Sequence, residues 1–395
     1  MPKVNPDILK WARESAGLSL EEAASKLNLN AAYGKTAIER LLDLEEGNTD
    51  PTRNMLVRMS KKYHRPLLTF YLSEPPLRGD RGQDFRLLPT DQPPINEGLL
   101  DALIRDVIAR QSLVRASIID EEEENILEFV GSKNIEDGAE VVLNTLKDIL
   151  NLSIQEFRNA PNPAEAFKIL RDKAESTGVF ILLLGNLGSH HTNLDVETFR
   201  GFALADNIAP FIVINDQDST SAWSFTLLHE LAHLILGNTG ISGGVPNLNI
   251  EKFCNDVASE FLLPSDETYL LQKISEIDFK NSISQINNFA EERNLSRSMI
   301  AYKLYRSGII DEYKWERFRS HFKNLWIQSK NNQRRIASET EGGPDYYVVR
   351  RHRLGKAILE TTARFIHKGT LTTTKAGTVL GVKPKNVQRL LSSYF

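Results

Sequence analysis

Apolar residues recur every three or four positions along most of this chain, which is the spacing of one face of a helix. The pattern predicts helices over 99–108, 141–150 and 163–177, and helical structure again in the last third of the chain. Two runs of consecutive apolar residues, 179–184 and 210–215, instead predict short buried strands. We therefore expect a mainly α protein with one small β-sheet in its middle.

The first 72 residues predict a domain of short helices. Gly17 has the position of a helix-terminating glycine, Ser19 and Glu22 have the spacing of a capping box, and a third helix follows from Thr36. Together with segment 44–52, these features resemble the phage-repressor (XRE) helix-turn-helix, whose third helix enters the major groove of DNA. The resemblance implies an all-α helix-turn-helix domain over 1–72.

Two features depart from that pattern. The connection 28–34 has seven residues, whereas a helix-turn-helix usually has about three to four. The third helix and its exit carry four acidic residues and only two basic ones nearby, Lys35 and Arg40. Lys35 and Arg40 are therefore the candidate DNA contacts, on a surface that attracts phosphate weakly. The alternative is a helical domain that docks a protein partner or covers an active-site cleft.

Length and composition limit the remaining possibilities. A chain of 395 residues exceeds what one core usually fills, and the Pro-, Gly- and charge-rich segment 73–94 predicts a linker to a helical scaffold at 95–160. A single cysteine excludes an internal disulfide and fits a reducing compartment. The polar first residues and the lack of a long apolar run predict a cytoplasmic protein with no membrane partner.

Charge is distributed unevenly around a net value of −4. Residues 120–165 hold twelve acidic and three basic side chains, and the acidic run at 120–124 predicts the start of a helix. Residues 312–395 hold seventeen basic and six acidic side chains. We therefore expect 276–395 to form a helical, basic C-terminal region.

The end of the chain predicts a second element like a helix-turn-helix. Residues 376–390 have the pattern of a short helix, a glycine turn and a basic helix. Lys383, Lys385 and Arg389 on the later helix are candidate nucleic-acid contacts. A solvated charged face is the alternative, since short basic helices are common.

The most specific motif is His229-Glu230-Leu231-Ala232-His233, which lies in an apolar helical run. Residues four apart lie on one helix face, so both imidazoles can reach one metal ion. Glu230 would then lie beside the ion, where it could take a proton from water and hand it to a leaving amine. The alternative is a core helix whose histidines bond to the backbone.

The spacing after the second histidine excludes one class of metallopeptidase. The metzincin pattern needs a glycine and a histidine where this chain has Leu236 and Thr239. A glycine-rich loop at 240–244 instead leads to a second helical pattern over 250–263. The third ligand is therefore expected on that second helix, because a catalytic zinc site takes three protein ligands.

Within the second helix, Glu251 is the favoured third ligand. Cys254, Asp256 and Glu260 are the alternatives, although Glu260 is half a helical circumference away from Glu251. Asn255 lies one turn after Glu251, where it could orient a metal ligand.

Several separated segments carry a family resemblance, namely 199–202, 209–215, 225–233, Glu251 with Asn255, and 262–264. Together they resemble the ImmA/IrrE family of metallo-endopeptidases. The resemblance implies a minimal α+β zincin-like (gluzincin) core over 161–275, a zinc ion (Zn2+) held by His229, His233 and Glu251, and Glu230 as general base. It also implies a protein substrate, such as a repressor or a toxin-system component.

The leading function is therefore a cytosolic zinc endopeptidase that cleaves a regulatory protein and is coupled to a DNA-binding-like module. The alternative is a transcriptional regulator or antitoxin-like protein, in which the zincin core is a sensor or partner dock without significant turnover. Arg200 and Asn215 could shape the cleft or serve as structural hydrogen-bonding residues. His190 and His191 lie in a glycine-rich turn and are not expected to be ligands.

Overall fold

The computed structural model describes residues 4–76, 97–122, 125–189, 192–238, 248–339, 343 and 345–392. The chain divides into two compact units. One comprises 1–81, 87–107 and 186–198, and the other comprises 82–86, 108–185 and 199–395. Most of the linker expected at 73–94, together with His190 and His191, lies outside the described residues.

The first unit begins with four short helices. These are α1 (Pro6–Ser15), α2 (Leu20–Lys26), α3 (Ala37–Glu45) and α4 (Arg53–Lys62), followed by a 3-10 helix (Leu67–Tyr71). The expected capping box of Ser19 and Glu22 is confirmed at the start of α2. The connection between α2 and α3 spans 27–36, which is longer than the sequence predicts.

A buried ion pair joins α1 to α3 in this unit. Arg13 donates from Nε to Oε1 of Glu45 at 2.8 Å and from Nη2 to Oε2 at 2.9 Å. The hydrogen bond to Glu45 raises the pKa of Arg13 above its usual value. This bidentate contact lies among apolar side chains from all four helices, so it fixes which faces of α1 and α3 meet.

Helix α5 (Glu97–Asp120) begins in the first unit and ends in the second. The next elements of the second unit, up to the end of the sheet, are a 3-10 helix (Ile135–Asp137), α6 (Ala139–Leu150), α7 (Ile154–Arg158), α8 (Pro163–Ser176), β1 (Phe180–Leu183), β2 (Gly201–Leu204) and β3 (Phe211–Ile214). The helices predicted over 141–150 and 163–177 are confirmed as α6 and α8.

The rest of the second unit is helical. It comprises α9 (Thr220–Ile235), α10 (Leu248–Leu262), a 3-10 helix (Ser265–Ser275), α11 (Phe279–Arg293), α12 (Arg297–Arg306), α13 (Glu312–Glu339), α14 (Tyr346–Leu354), α15 (Lys356–Lys368), α16 (Thr373–Val379), a 3-10 helix (Pro384–Asn386) and α17 (Val387–Leu390). Among the described residues, no helix combines the length and apolar character that crossing a bilayer requires.

Three strands form the sheet in the order β1-β3-β2. Strand β3 is parallel to β1, with Phe180 opposite Phe211, and antiparallel to β2, with Gly201 opposite Ile214. The sequence predicts β1 and β3 but not β2, because β2 is short and begins with glycine, which disfavours strands. The expectation of a mainly α protein with a small sheet is confirmed.

The acidic run at 120–124 does not open a helix, and that prediction is wrong. Asp120 is the last residue of α5, so the run follows the helix. Glu121 instead accepts hydrogen bonds from Lys368 Nζ at 2.9 Å and from Thr370 Oγ1 at 2.7 Å. Contacts with cationic and hydroxyl groups distant in sequence therefore offset the unfavourable position at a helix C-terminus.

Candidate metal and active site

Helix α9 is the centre of the second unit. Almost every side chain along it is buried, and apolar residues of α6, α8, α10 and the sheet surround it. The helix ends at Ile235, and Gly237 follows in the left-handed region at φ +66°, as is common just after a helix. Gly131 N–H donates to Leu234 O at 2.9 Å, so one of the last helix carbonyls is satisfied by the loop that crosses the helix end.

The structure brings His229, His233 and Glu251 together. His229 and His233 lie one turn apart on α9, and their Nε2 atoms are 2.9 Å apart. Glu251, in the first turn of α10, places Oε2 3.4 Å from His229 Nε2 and Oε1 3.5 Å from His233 Nε2. Both histidines are fully buried, and the three side chains form a group that could hold a metal ion.

The two distances from the carboxylate fit a zinc site. Ligand atoms about 2.1 Å from a tetrahedral zinc ion lie about 3.4 Å from one another. Both carboxylate-to-imidazole distances, 3.4 and 3.5 Å, agree with that edge length and exceed the usual range of an N–H to oxygen hydrogen bond. The two imidazole Nε2 atoms, 2.9 Å apart, are closer together than that edge. Two imidazoles and one carboxylate are also the donor set of many catalytic zinc sites, which leave the fourth position open.

The other acidic candidates for the third ligand are used elsewhere. Glu260 accepts hydrogen bonds from Ser265 Oγ at 2.7 Å and from the ammonium of Lys303. Asp256 accepts from Arg306 Nε at 3.0 Å. These ion pairs join α10 to α12, so the two carboxylates hold the helix that carries Glu251 rather than the metal.

Cys254 contacts the second ring nitrogen of His233. Its buried Sγ lies 3.5 Å from His233 Nδ1, whereas Nε2 of the same ring faces Glu251. Cys254 therefore touches a candidate ligand on the ring nitrogen that would not hold the metal. The sequence suggests that Asn255 could orient a metal ligand. Asn255 is half-buried on α10, and its role stays a prediction.

Glu230 lies between the two histidines in sequence and is buried against β2. An added Cβ on Gly201 would lie 2.7 Å from Glu230 Oε1 and 2.6 Å from Thr226 Cγ2. Only glycine therefore lets β2 approach this face of α9 so closely. Sequence reasoning misses Gly201 as a site residue, although a glycine inside a strand is a signal of close approach.

Asn215 and Arg200 organise the chain before α9. Asn215 Nδ2 donates to Phe199 O at 3.0 Å, and its Oδ1 accepts from Gln217 N at 3.0 Å. Arg200 Nη1 lies 3.4 Å from Asp218 Oδ2. Both side chains thus make structural contacts that connect the start of β2 to the turn between β3 and α9, the second of the two roles that the sequence leaves open.

The candidate nucleic-acid residues differ in their contacts. Lys35 Nζ pairs with Asp43 Oδ2 at 2.6 Å, and Arg40 Nη1 donates to Asn30 O at 2.6 Å, so both cations have partners within the first unit. Lys383 and Lys385 are exposed, and Arg389 lies over the ring of Tyr347, 4.5 Å from its centroid.

Comparison with known proteins adds one finding. Searches of the curated proteins and of the solved structures found no match. Residues 182–305, which include both histidines, Glu230 and Glu251, match the family model of Peptidase_M78. This part of the chain is therefore similar to the IrrE N-terminal-like domain that defines that family.

Proposed function

We propose that this chain is a zinc-dependent endopeptidase that cleaves a regulatory protein, such as a repressor or a toxin-system component. The observation that carries the proposal is the convergence of two buried imidazoles and one carboxylate at ligand spacing, with Glu230 on the same helix. The match of this segment to Peptidase_M78 supports a metallopeptidase.

His229, His233 and Glu251 would hold the zinc ion. When bound, zinc polarises the scissile carbonyl and lowers the pKa of water at the open position. Glu230 would accept the proton of the attacking water and pass it to the leaving amine, as a positioned carboxylate does in general acid–base catalysis. Its burial against Gly201 restricts the carboxylate to one place, which favours proton transfer at a fixed geometry.

Strand β2 would bind the substrate backbone. Among the described residues β2 pairs only with β3, so no strand is hydrogen-bonded to its other edge. The backbone N–H of Asn215 donates a hydrogen bond to Arg200 O. In an antiparallel pair, every second residue of a strand bonds to its neighbour. The N–H and C=O groups of Gly201 and Ala203 therefore point to the edge of β2 that faces away from β3. An extended peptide added there would run past Glu230.

The helical first unit would supply recognition of a regulatory partner. Its third helix, α3, begins with a capping box of Thr36 and Glu39, and the resemblance of 1–72 to the XRE helix-turn-helix motivates this role. Because Lys35 and Arg40 are bound internally, phosphate contacts from this helix would be weak, and contact with a protein partner fits its mixed charge better.

Two measurements test the proposed function. Purified protein loaded with zinc and freed of excess should contain about one zinc per chain, and His229→Ala should lose it. Glu230→Gln should keep the zinc and cleave the products of neighbouring reading frames about 10²–10⁴-fold more slowly than the unaltered protein, as seen by mass spectrometry.

Two outcomes would contradict the endopeptidase. If the protein binds no zinc, zinc-dependent hydrolysis is ruled out. Zinc-loaded protein whose regulatory effect is unchanged by Glu230→Gln would instead favour a sensor or partner dock without turnover.

A further inference from the structure

The C-terminal helices α14 to α17 concentrate positive charge in a chain whose net charge is −4. Residues 345–392 contain ten Lys and Arg but only two Asp and Glu, and no acidic residue occurs from 361 onwards. Such a concentration on one small helical region is the electrostatic signature of a surface that meets an anionic partner.

Tight packing holds the last two helical elements in a fixed arrangement. Gly377 in α16 approaches the following loop so closely that an added Cβ would lie 2.9 Å from Val382 O. Gly381 turns the chain with φ +59°, and the buried Arg350 donates to Leu380 O at 2.7 Å and to Gly381 O at 3.0 Å. Apolar residues on both sides of this turn are buried, so the turn and the segment after it have one geometry.

Exposed cations without counter-charges occur along α16 and the segment that follows it. Lys375, Lys383 and Lys385 are exposed, and none of them forms an ion pair with any residue that the structure describes. Hydroxyl and amide donors lie among them, namely the exposed side chains of Thr373, Thr374, Thr378 and Gln388. Lysines and threonines are the side chains that contact phosphate oxygens, and glutamine reads base edges.

Two alternative partners fit this surface less well. In the described part of 345–392 the exposed large apolar side chains are Tyr346 and Val348 of α14, and none lies on α15 to α17, so apolar insertion into a membrane is not available beside the lysines. Exposed aromatic rings are likewise absent from the described residues of α15 to α17, whereas single-stranded nucleic acids are bound by stacking on such rings.

We propose that the surface formed by Lys375, Lys383, Lys385 and Arg389 binds double-stranded DNA, mainly through its phosphates. This surface, rather than Lys35 and Arg40, is then the nucleic-acid contact of the chain. None of its residues is a candidate metal ligand or proton acceptor, so Glu230→Gln protein should bind the duplex with unchanged affinity.

The test uses the full-length protein and a fluorescent duplex of about 25 base pairs of arbitrary sequence, at about 50–200 mM salt. Binding is measured by fluorescence anisotropy. The unaltered protein should bind with a Kd in the micromolar range that rises steeply with salt. The double variant Lys383→Glu, Lys385→Glu should bind at least about tenfold more weakly, with a salt slope smaller by about two.

The matched control is Lys147→Glu, Lys273→Glu, which changes the net charge equally at exposed lysines on α6 and on the 3-10 helix Ser265–Ser275. It should bind the duplex nearly as the unaltered protein does. Circular dichroism and zinc content should be the same in all three proteins, which shows that a loss of binding is not a loss of folding.

Several outcomes would overturn the proposal. The unaltered protein would fail to bind the duplex, the two double variants would lose affinity equally, or Lys35→Glu alone would abolish binding. Tighter binding to a single strand of the same length, to phosphatidylserine vesicles or to polyglutamate than to the duplex would assign the surface to a different partner.

Discussion

Two small residues set the geometry of the candidate site. Cys254 lies against the non-ligand nitrogen of His233, and Gly201 leaves the space that Glu230 occupies. Neither residue is a metal ligand or a proton acceptor in the proposed chemistry. We therefore expect substitution of Cys254 to change the affinity for the metal, and substitution of Gly201 to change the position of the Glu230 carboxylate.

We expect Cys254→Ala to weaken zinc binding by about 10–100-fold, because partners of a ligand imidazole fix its tautomer and orientation. Competition with a chelating dye measures the affinity. Cys254→Ser, which keeps a hydrogen-bonding group of similar size, should retain most of it. The control is Ser259→Ala, a buried polar position on the same helix whose Oγ donates to Asp256 O. Equal zinc affinity in Cys254→Ala and Ser259→Ala would show that the thiol has no such role.

Gly201→Ala should keep its zinc and lose activity. The new methyl group would meet Glu230 Oε1 and Thr226 Cγ2, so the carboxylate or the strand must shift. A displacement of about 1 Å in a catalytic group can cost about 10²-fold in rate, and we expect kcat to fall by that order. Gly343→Ala, where an added Cβ meets nothing within 4 Å, is the control. A variant that loses zinc together with activity would argue against a specific effect on Glu230.

The sequence predicts those helices and strands whose formation depends on residues close together in the chain. Helix α9 follows from its apolar run, and two of the three strands follow from consecutive apolar residues. Strand β2 does not, because it exists only by pairing with β3 and packing on α9, which are contacts distant in sequence. Local propensity is weak for a four-residue strand that begins with glycine.

The polar residues of α10 also have contacts that local sequence patterns do not predict. Spacing places Glu251, Cys254 and Asn255 on neighbouring parts of α10, but a rotation of about 100° per residue leaves the choice between Cys254 and Asn255 to tertiary packing. The ion pairs of Asp256 with Arg306 and of Glu260 with Lys303 depend on α12, whose partner residues come 50 and 43 residues later. No local pattern contains that information.

For the second unit as a whole, a buried polar network joins the C-terminal helices to the core. Arg171 and Glu175 of α8 pair at 2.9 Å and are both buried. Arg171 Nη1 also donates to His352 O at 2.7 Å, and Glu175 Oε2 accepts from Lys356 N at 2.8 Å at the start of α15. Removing one partner would leave a buried charge uncompensated, so the network specifies how α14 and α15 pack on α8.

The network places a histidine among cations. Burial lowers the pKa of His352, and the nearby charges of Arg171 and Arg353 lower it further, while Asp216 opposes them. The folded protein therefore binds this proton less readily than the unfolded chain, whose histidine titrates near pH 6.5. This difference in proton binding contributes to the free energy of unfolding, and the contribution is fully present above about pH 6.5. It is lost as the pH falls from there through the lowered pKa of the folded protein, because the unfolded state takes up the proton first.

This sign predicts that acidification weakens the fold in part through His352. The free energy of unfolding, measured with urea at about pH 7.5 and pH 5.5, should fall less in His352→Gln than in the unaltered protein. His367→Gln is the control, since His367 is an exposed histidine at the end of α15 in the same basic region. It should show the full loss of the unaltered protein. If both variants lose the same free energy on acidification, the destabilising proton binds elsewhere, and His352 is only a packing residue beside Trp223.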